Sequence, residues 1–382
     1  MPTRRRVLAT LPAAALLLRQ SFAAQSAPPT LRLQRAYLGT TGKAGQGIFT
    51  AEFDNSTGTF ARPEMAVPLP GNDCMALTRN RKHLLSICAV DGAAQVVAFE
   101  VQDGPEPLHE VSRQPTGGNI GNFISLDRTE RICMEANWGS GDVSTFPFGK
   151  DGTLSAAVEH IQYGDANHGP TPMQPHSRCH SILEAPGDGR FVLVNDYGAD
   201  RIYIYRLDPA TARLTAHDPP FYAAPPGSAP RHLVFHPNGR VIYCNNELSN
   251  TIDLLQWDGK HGTLARVASY STLPPDAPPK NRTADMVLSP DARFLYGSVR
   301  DSNTISTWAV QRDGTLHPVG APVKNGAENR CIALDATGRW LLAANVNGSE
   351  NVTIFPRDPK TGLLSPQSSS TPLPGACMIV WG

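Results

Sequence analysis

A unit of about 50 residues recurs along the 382-residue chain and limits the possible folds more than any other feature. Each copy has a polar turn with a basic residue, an apolar run, a polar loop, a second run of alternating character and an acidic turn ending on leucine. Residues 185–214, "APGDGRFVLVNDYGADRIYIYRLDPATARL", show the whole pattern. The basic residues that mark successive copies are Lys82, Arg131, Arg190, Arg240, Arg293 and Arg339, separated by 49, 59, 50, 53 and 46 residues.

Such a period, with several strands in each unit, predicts a β-propeller. A single small sheet cannot bury both faces, so sheets that stack around an axis cover one another. The apolar runs are rich in Val, Ile, Tyr and Phe, and the 33 glycines and 34 prolines suit short strands joined by turns. Residues 35–60 form a seventh unit without a first strand, and the C-terminal "GACMIVWG" is a strand without a unit. We therefore predict an all-β protein, one seven-bladed propeller over residues 30–382, in which the N- and C-terminal strands close one blade.

Residues 1–24 are predicted to be a separate signal peptide. A twin arginine, Arg4-Arg5, precedes a short apolar run, and small residues follow around Ala23 and Ala24. This order is typical of the twin-arginine export route, which carries folded proteins. We expect a periplasmic or secreted protein without stable membrane insertion, because the apolar run is too short for an ordinary span.

Charge and cysteine usage narrow the classes of partner. The chain has 34 Lys and Arg against 34 Asp and Glu, so its formal net charge is zero. Nucleic-acid binding favours a basic surface, which this balance does not supply. The seven cysteines contain no Cys-x-x-Cys pair, so we expect buried thiols and no metal site. We expect no cofactor and no nucleic-acid partner.

Several longer segments resemble a known family. These are "YLGTT", "ANWGSGDVSTFPFGKDGTL", "APRHLVFHPNGRVIYCNNELSNTI" and "SPDARFLYGSVRDSNTISTW". They are similar to the lactonase family of seven-bladed propellers, which includes bacterial 6-phosphogluconolactonases and fungal carboxy-muconate lactonizing enzymes. The resemblance covers about residues 35–380, and its most specific motif is Pro-Arg-His followed by Asn-Glu-Leu-Ser.

The resemblance implies a set of site residues. The positions that correspond to the family's motifs are His180, Arg231, Glu247, Asp285, Arg300 and Arg330. The pattern departs elsewhere: Arg178 stands where a family histidine is usual, His176 lies further upstream, and Phe123 replaces another histidine. Because the first and second strands of a blade bring their ends to one side, we expect the matching residues to meet in one funnel.

The resemblance also implies the chemistry of this cluster. Lactone opening needs an activated water and stabilisation of a developing oxyanion. We assign Glu247 or His180 as the base and Arg231 as the ligand of the carbonyl oxygen. Arginine forks bind carboxylates and phosphates, so Arg300 and Arg330 are predicted to hold the acidic end of the substrate. Substrate contacts are also assigned to Asp285, His176 and Arg178, whereas His232, next to Arg231, is expected to point away into the core.

Three functions stay open at this point. The first is a lactonase acting on a small-molecule sugar lactone, either 6-phosphogluconolactone or, outside the cytoplasm, a plain glucono-lactone. The second is an exported binding module that has lost catalysis, and the third is a lactonizing enzyme of the muconate type. Loss of turnover on changing Arg231 or Glu247 would favour an enzyme, and loss of partner binding would favour a module.

Overall fold

A computed structural model describes residues 32–42, 47–164, 167–274, 277, 280–347 and 351–382. The predicted signal peptide, residues 1–24, lies outside these ranges. The described residues form 30 strands and no helix, and none of their segments is a helix able to cross a membrane.

The strands form seven sheets, each a blade of four or five antiparallel strands. Blade 1 contains β1 (Leu33–Thr40), β2 (Gly47–Asp54), β3 (Thr59–Phe60) and β4 (Glu64–Pro68), with β30 (Ala376–Trp381) as its inner strand. Blade 2 contains β5 (Met75–Leu77), β6 (His83–Val90), β7 (Ala93–Val101) and β8 (Leu108–Pro115). Blade 3 contains β9 (Gly121–Leu126), β10 (Ile132–Asn137), β11 (Asp142–Pro147) and β12 (Glu159–Gln162).

The remaining four blades repeat this order. Blade 4 contains β13 (Cys179–Glu184), β14 (Phe191–Asp196), β15 (Arg201–Asp208) and β16 (Arg213–Ala223). Blade 5 contains β17 (Pro230–Phe235), β18 (Val241–Asn246), β19 (Thr251–Asp258) and β20 (Thr263–Ser271). Blade 6 contains β21 (Thr283–Leu288), β22 (Phe294–Val299), β23 (Thr304–Val310), β24 (Leu316–Pro318) and β25 (Val323–Lys324). Blade 7 contains β26 (Asn329–Leu334), β27 (Trp340–Asn345), β28 (Asn351–Pro356) and β29 (Ser369–Pro372).

The predicted closure of the ring is confirmed. The C-terminal strand β30 pairs antiparallel with β1, so that Tyr37 faces Val380 and Leu38 faces Ile379. The first and last segments of the chain therefore share blade 1. This pairing satisfies the edge of β1, which would otherwise present unpaired backbone groups.

Apolar layers between neighbouring blades form the core. One such layer joins blades 4 and 5 through Ile204, Ile242 and Trp257, and the indole of Trp257 donates to Pro186 O at 2.9 Å. All seven cysteines are buried and unpaired, as expected for structural thiols. Burial raises the pKa of Cys74 to about 12, which keeps this thiol protonated and unreactive.

A β-bulge interrupts the inner strand in six of the seven blades. At each bulge one inner-strand residue is left out of the pairing, or two residues oppose one. The residues concerned are Asn122, His180, Arg231, Ala284 with Asp285, Arg330 and Cys377. A bulge turns a side chain out of the regular alternation between the two faces of a sheet. The side chains at these six positions therefore depart from that alternation at the same level of their blades.

A second ring of equivalent positions follows the second strand of five blades. In each case the backbone N–H of the residue after that strand donates to a carbonyl just before the inner strand of the same blade. The positions are Trp138, Tyr197, Glu247, Arg300 and Val346, with N–O distances of 2.9, 2.9, 2.8, 2.9 and 3.2 Å. These bonds hold the two ends of each strand-turn-strand unit together and explain why Arg231 and Glu247 frame one unit.

Candidate active site

The two rings of positions surround a cleft with two adjoining lobes. The wide lobe has a volume of about 230 Å³ and is lined by residues including Trp138, His180, Tyr197, Arg231, Glu247, Arg282, Arg300, Glu328 and Arg330. The narrow lobe has a volume of about 120 Å³, and its lining includes Asn122, Phe123, His180, Arg231, His232, Asp285, Arg330 and three cysteines. The six motif residues expected to meet in one funnel all line these lobes.

One carboxylate in the cleft is shared by two arginines. Oε2 of Glu247 lies 3.0 Å from Nε of Arg231 and 3.5 Å from Nη2 of Arg300. The three side chains are 5–8% exposed, so little solvent screens the interaction. Two positive charges against one negative charge leave this group with an excess positive charge.

Arg231 is the most strongly perturbed cation of the group. Burial, followed by the charge of Arg300, lowers its pKa to about 10, which still leaves the guanidinium charged at neutral pH. Its Nη1 donates to Ala284 O. Among the described residues, Nε of Arg231 and Nε of Arg300 are buried without a hydrogen-bond partner, although Nε of Arg231 lies 3.0 Å from the Glu247 carboxylate. Buried donors of this kind favour a ligand oxygen that carries negative charge.

His232 lies in the narrow lobe, so the expectation that it points into the core is wrong. Its Nδ1 is 2.9 Å from Oδ1 of Asp285, whose other oxygen accepts the backbone N–H of Ile332 at 3.0 Å. The bulge explains the difference, because Arg231 and His232 do not alternate across a regular strand. Burial and the charge of Arg231 lower the pKa of His232, which keeps its ring neutral.

His180 lies opposite, on the inner strand of the preceding blade. The centroids of the His180 and His232 rings are 5.0 Å apart, and the ring planes are inclined by 75°. The side-chain amide of Asn122 reaches His180 from blade 3, with Nδ2 2.8 Å from Nδ1 and 3.0 Å from the backbone O of the histidine. Burial, with the charge of Arg231 next, holds the pKa of His180 well below its usual range, so this imidazole is neutral as well.

The other predicted contacts lie at the edge of the cleft or outside it. Arg330 forms an ion pair with Asp73 at 3.1 Å. The guanidinium of Arg178 stacks 3.8 Å over the indole of Trp138, one of the residues that line the wide lobe. His176 is not brought into the lining; its Nδ1 lies 2.7 Å from Ser177 O in the loop that precedes β13.

Sequence reasoning missed several lining residues. Trp138 and Tyr197 occupy the same position in their blades as Glu247 and Arg300, directly after the second strand. Aligning the repeats at that position would have found them. Asn122 and Asp73 carry no comparable signal, because only the bulge and the curvature of the ring bring them to the cleft.

Comparison with known proteins agrees with this architecture. The family model described as "Lactonase, 7-bladed beta-propeller" matches residues 35–381. The chain belongs to this lactonase family. The match extends from β1 to the last residue of β30, so it includes both strands that close the ring and every blade between them.

Relatives of this lactonase-family protein cover almost its whole propeller. A 6-phosphogluconolactonase of Bacillus subtilis is 29% identical over 342 residues, covering 88% of this chain and 96% of the relative. A 6-phosphogluconolactonase of Pectobacterium carotovorum is 30% identical over 301 residues, covering 78% of this chain and 85% of the relative. The structure of a periplasmic gluconolactonase of Pseudomonas aeruginosa superimposes with a TM-score of 0.85 at 26% identity, covering 91% of this chain and 99% of that one. Family membership thus supports a hydrolase that acts on a lactone.

Proposed function

We propose that the protein hydrolyses an unphosphorylated sugar lactone of the glucono-lactone type outside the cytoplasm. The single observation that carries the proposal is the Glu247 carboxylate shared by Arg231 and Arg300 beside two neutral histidines in one cleft. Cations with unused donors suit a carbonyl oxygen that gains negative charge, and neutral imidazoles suit proton transfer at neutral pH.

The pairing of the wide lobe's arginines with carboxylates favours a plain lactone over a phosphorylated one. Its described lining contains four arginines and three carboxylates. Arg330 is paired with Asp73, and Arg282 contacts both Asp301 and Glu328. A phosphate dianion would have to compete with these carboxylates for the arginine forks. The uncharged ring of a sugar lactone imposes no such cost.

Two further observations support the substrate and the location. The Pseudomonas aeruginosa relative bears the name periplasmic gluconolactonase, and the twin arginine Arg4-Arg5 favours export of this chain. Sugar phosphates are intracellular compounds, so an exported enzyme would meet plain lactones more readily. The names of the Bacillus and Pectobacterium relatives make 6-phosphogluconolactone the second candidate.

In the proposed reaction the lactone carbonyl oxygen contacts the guanidinium of Arg231. Water attacks the carbonyl carbon, the negative charge that develops on oxygen is stabilised by the guanidinium, and the ring C–O bond breaks to give a hydroxy acid. Glu247 holds Arg231 and Arg300 in place through the ion pairs described above. The aromatic wall of Trp138 and Tyr197 provides an apolar surface for the sugar ring.

A lactone panel assayed by acid release tests this proposal. The purified protein is offered glucono-δ-lactone and 6-phosphogluconolactone side by side, with spontaneous hydrolysis subtracted. We expect the higher kcat/KM for the plain lactone, a fall of roughly 10²–10³ for Arg231→Met, and no change for Arg240→Met on a surface turn. A higher kcat/KM for the phosphorylated lactone would reverse the substrate assignment. Hydrolysis of neither would favour the non-catalytic binding module.

A further inference from the structure

We propose that His232 and His180 form an acceptor–donor pair in the narrow lobe. His232 takes a proton from the attacking water, and His180 donates a hydrogen bond to the lactone oxygen that becomes negative. The inference rests on the proposed lactone hydrolysis and adds which groups handle the protons. The evidence is the hydrogen bond that each histidine ring makes with its neighbour, because the two bonds impose opposite tautomers on the two imidazoles.

The partner of His232 places its proton on Nδ1. Oδ1 of Asp285 lies 2.9 Å from Nδ1, and Oδ2 is held by the backbone N–H of Ile332 at 3.0 Å. Burial opposes ionisation of Asp285, but the hydrogen bond from His232 and the charge of Arg231 prevail and lower its pKa. An ionised carboxylate only accepts hydrogen bonds, so Nδ1 must donate and Nε2 keeps its lone pair.

Arg231 competes only weakly for that lone pair, because its Nη1 also donates to Ala284 O. Its Nη1 lies 3.1 Å from Nδ1 and 3.3 Å from Nε2 of His232. A donor aimed at one in-plane lone pair would lie clearly closer to one nitrogen, so this guanidinium lies against the ring. Nε2 of His232 therefore remains a proton acceptor that is oriented by Asp285, the same relation that orients the base of serine hydrolases.

The partner of His180 places its proton on the opposite nitrogen. Nδ2 of Asn122 lies 3.0 Å from the backbone O of His180, which can only accept, and this contact fixes the orientation of the amide. The same Nδ2 lies 2.8 Å from Nδ1 of the ring, so Nδ1 must be the unprotonated nitrogen. The proton of the neutral ring is then on Nε2, and His180 acts as a donor rather than a base.

The two rings are close enough to serve one reacting centre. Their centroids are 5.0 Å apart, and both line the narrow lobe of about 120 Å³. A water molecule takes up roughly 30 Å³, so the lobe accommodates the attacking water together with the edge of the lactone. In this scheme Glu247 serves as the counter-ion of two arginines through its Oε2 rather than as the proton acceptor.

The proton balance of the step is closed. The water oxygen bonds to the carbonyl carbon while its proton moves to Nε2 of His232, and the carbonyl electron pair moves to the oxygen facing His180 and Arg231. When the ring C–O bond breaks, the leaving oxygen takes the proton back from His232. His180 keeps its proton throughout, and the product is the open-chain hydroxy acid.

The tautomers can be read in the resting protein. In a sample with ¹⁵N-labelled histidine, two-bond proton–nitrogen spectra distinguish protonated from unprotonated ring nitrogens. We expect Nδ1–H for His232 and Nε2–H for His180. The reverse assignment for either ring would overturn the pairing, whatever the activity of the protein.

Asp285→Asn tests the role of His232. The backbone N–H of Ile332 keeps the amide oxygen of the new side chain, which turns its NH₂ toward His232 and moves the ring proton to Nε2. We expect kcat to fall by roughly 10²–10⁴ with KM little changed. The matched control is Asp258→Asn, which alters an exposed Asp258–His261 pair of 2.6 Å on a surface turn and should leave kcat unchanged.

Asn122→Asp tests the donor role of His180 by the same logic. A carboxylate at this position draws the ring proton to Nδ1 and removes the donor at Nε2, and we expect kcat to fall by roughly 10²–10³. A tautomer change without loss of kcat in either variant would overturn that histidine's role while lactone hydrolysis stands. A wild-type protein that hydrolyses no lactone would instead overturn the proposed function, and the base role with it.

Discussion

The carboxylate of Glu247 lies 3.0 Å from the guanidinium of Arg231, with both side chains almost fully buried, across the open ends of one strand-turn-strand unit. The backbone bond from Glu247 N to Ala229 O holds these ends together. Because Glu247 also faces Arg300 at 3.5 Å, it acts as the shared counter-ion of two buried cations. This relation makes its charge a determinant of stability.

Replacing Glu247 by Gln is expected to destabilise the fold by about 3–5 kcal/mol, because it leaves two buried guanidiniums without their counter-charge. Chemical denaturation measures the loss. The control is Glu52→Gln, which breaks the half-exposed 3.5 Å pair with Arg35 and should cost at most about 1 kcal/mol. Equal stability of Glu247→Gln and wild type would mean that the pair is not coupled in solution.

Tyr197 is expected to bind substrate through its hydroxyl. The ring lines the wide lobe, and the hydroxyl makes no hydrogen bond with the described residues. Burial, then the charge of Glu247, raises its pKa, so it is a neutral donor. Tyr197→Phe should raise KM about 3–10-fold, because the substrate loses one hydrogen bond. The Tm should be unchanged.

Tyr243→Phe gives the reciprocal control for that prediction. The hydroxyl of Tyr243 donates to Gly314 O at 2.7 Å, away from the cleft. Its removal should lower the free energy of unfolding by about 1–3 kcal/mol and leave KM unchanged. A Tyr197→Phe variant that loses stability but keeps its KM would make Tyr197 a structural residue.

Glu135 is expected to make stability fall as pH rises. It is fully buried in blade 3, and burial together with the neighbouring charge of Asp142 raises its pKa well above the usual range. The folded protein therefore keeps this carboxyl protonated, whereas in the unfolded chain the same carboxyl ionises at about pH 4.3. Stability from this group is complete below the unfolded pKa and is lost as pH rises toward the folded pKa.

Glu135→Gln should remove that dependence. We expect its Tm to exceed the wild-type value at pH 8 by more than at pH 4, measured in buffers of equal ionic strength. The exposed Glu64 serves as the control, since Glu64→Gln should shift Tm little at either pH. A wild-type protein that gains stability between pH 4 and 8 relative to Glu135→Gln would contradict the buried neutral acid.

Closure by β30 is expected to be essential for the fold. Ile379 is 4% exposed and packs between blades 1 and 7. Ile379→Ala should cost about 2–5 kcal/mol, and a chain ending at Pro374 should be insoluble because the edge of β1 is then unpaired. Val267→Ala on an exposed face is the control. Full-length stability of the truncated chain would show that the closing strand is dispensable.

Export is expected to depend on the twin arginine. Changing Arg4 and Arg5 together to Lys keeps the positive charge but removes the guanidinium pair that the export route recognises. Cell fractionation should then find the protein inside the cytoplasm, whereas a change of the surface residue Lys260 should leave its location unaltered. Equal periplasmic yield of the double variant would contradict the route.

The seven blades, their closure and the main residues of the cleft could all be predicted from the amino-acid sequence. The blades and their closure follow from local patterns: a repeat of about 50 residues, alternating apolar runs and a lone terminal strand. Periodicity reports which faces of a strand are buried, and burial of sheet faces is what drives blades to stack. The resemblance to the lactonase family identified His180, Arg231, Glu247, Asp285, Arg300 and Arg330, and the blade geometry placed them in one funnel.

How those residues face one another depends on bulges and on contacts between blades, which appear only in the folded protein. The bulges at His180, Arg231 and Arg330 turn their side chains out of the regular alternation, and no pattern in the chain marks a bulge. His232 could therefore not be placed in the cleft from its position next to Arg231. The pairing of Asn122 with His180 joins residues of different blades, so the tautomer of that ring depends on how the blades pack, which local sequence does not encode.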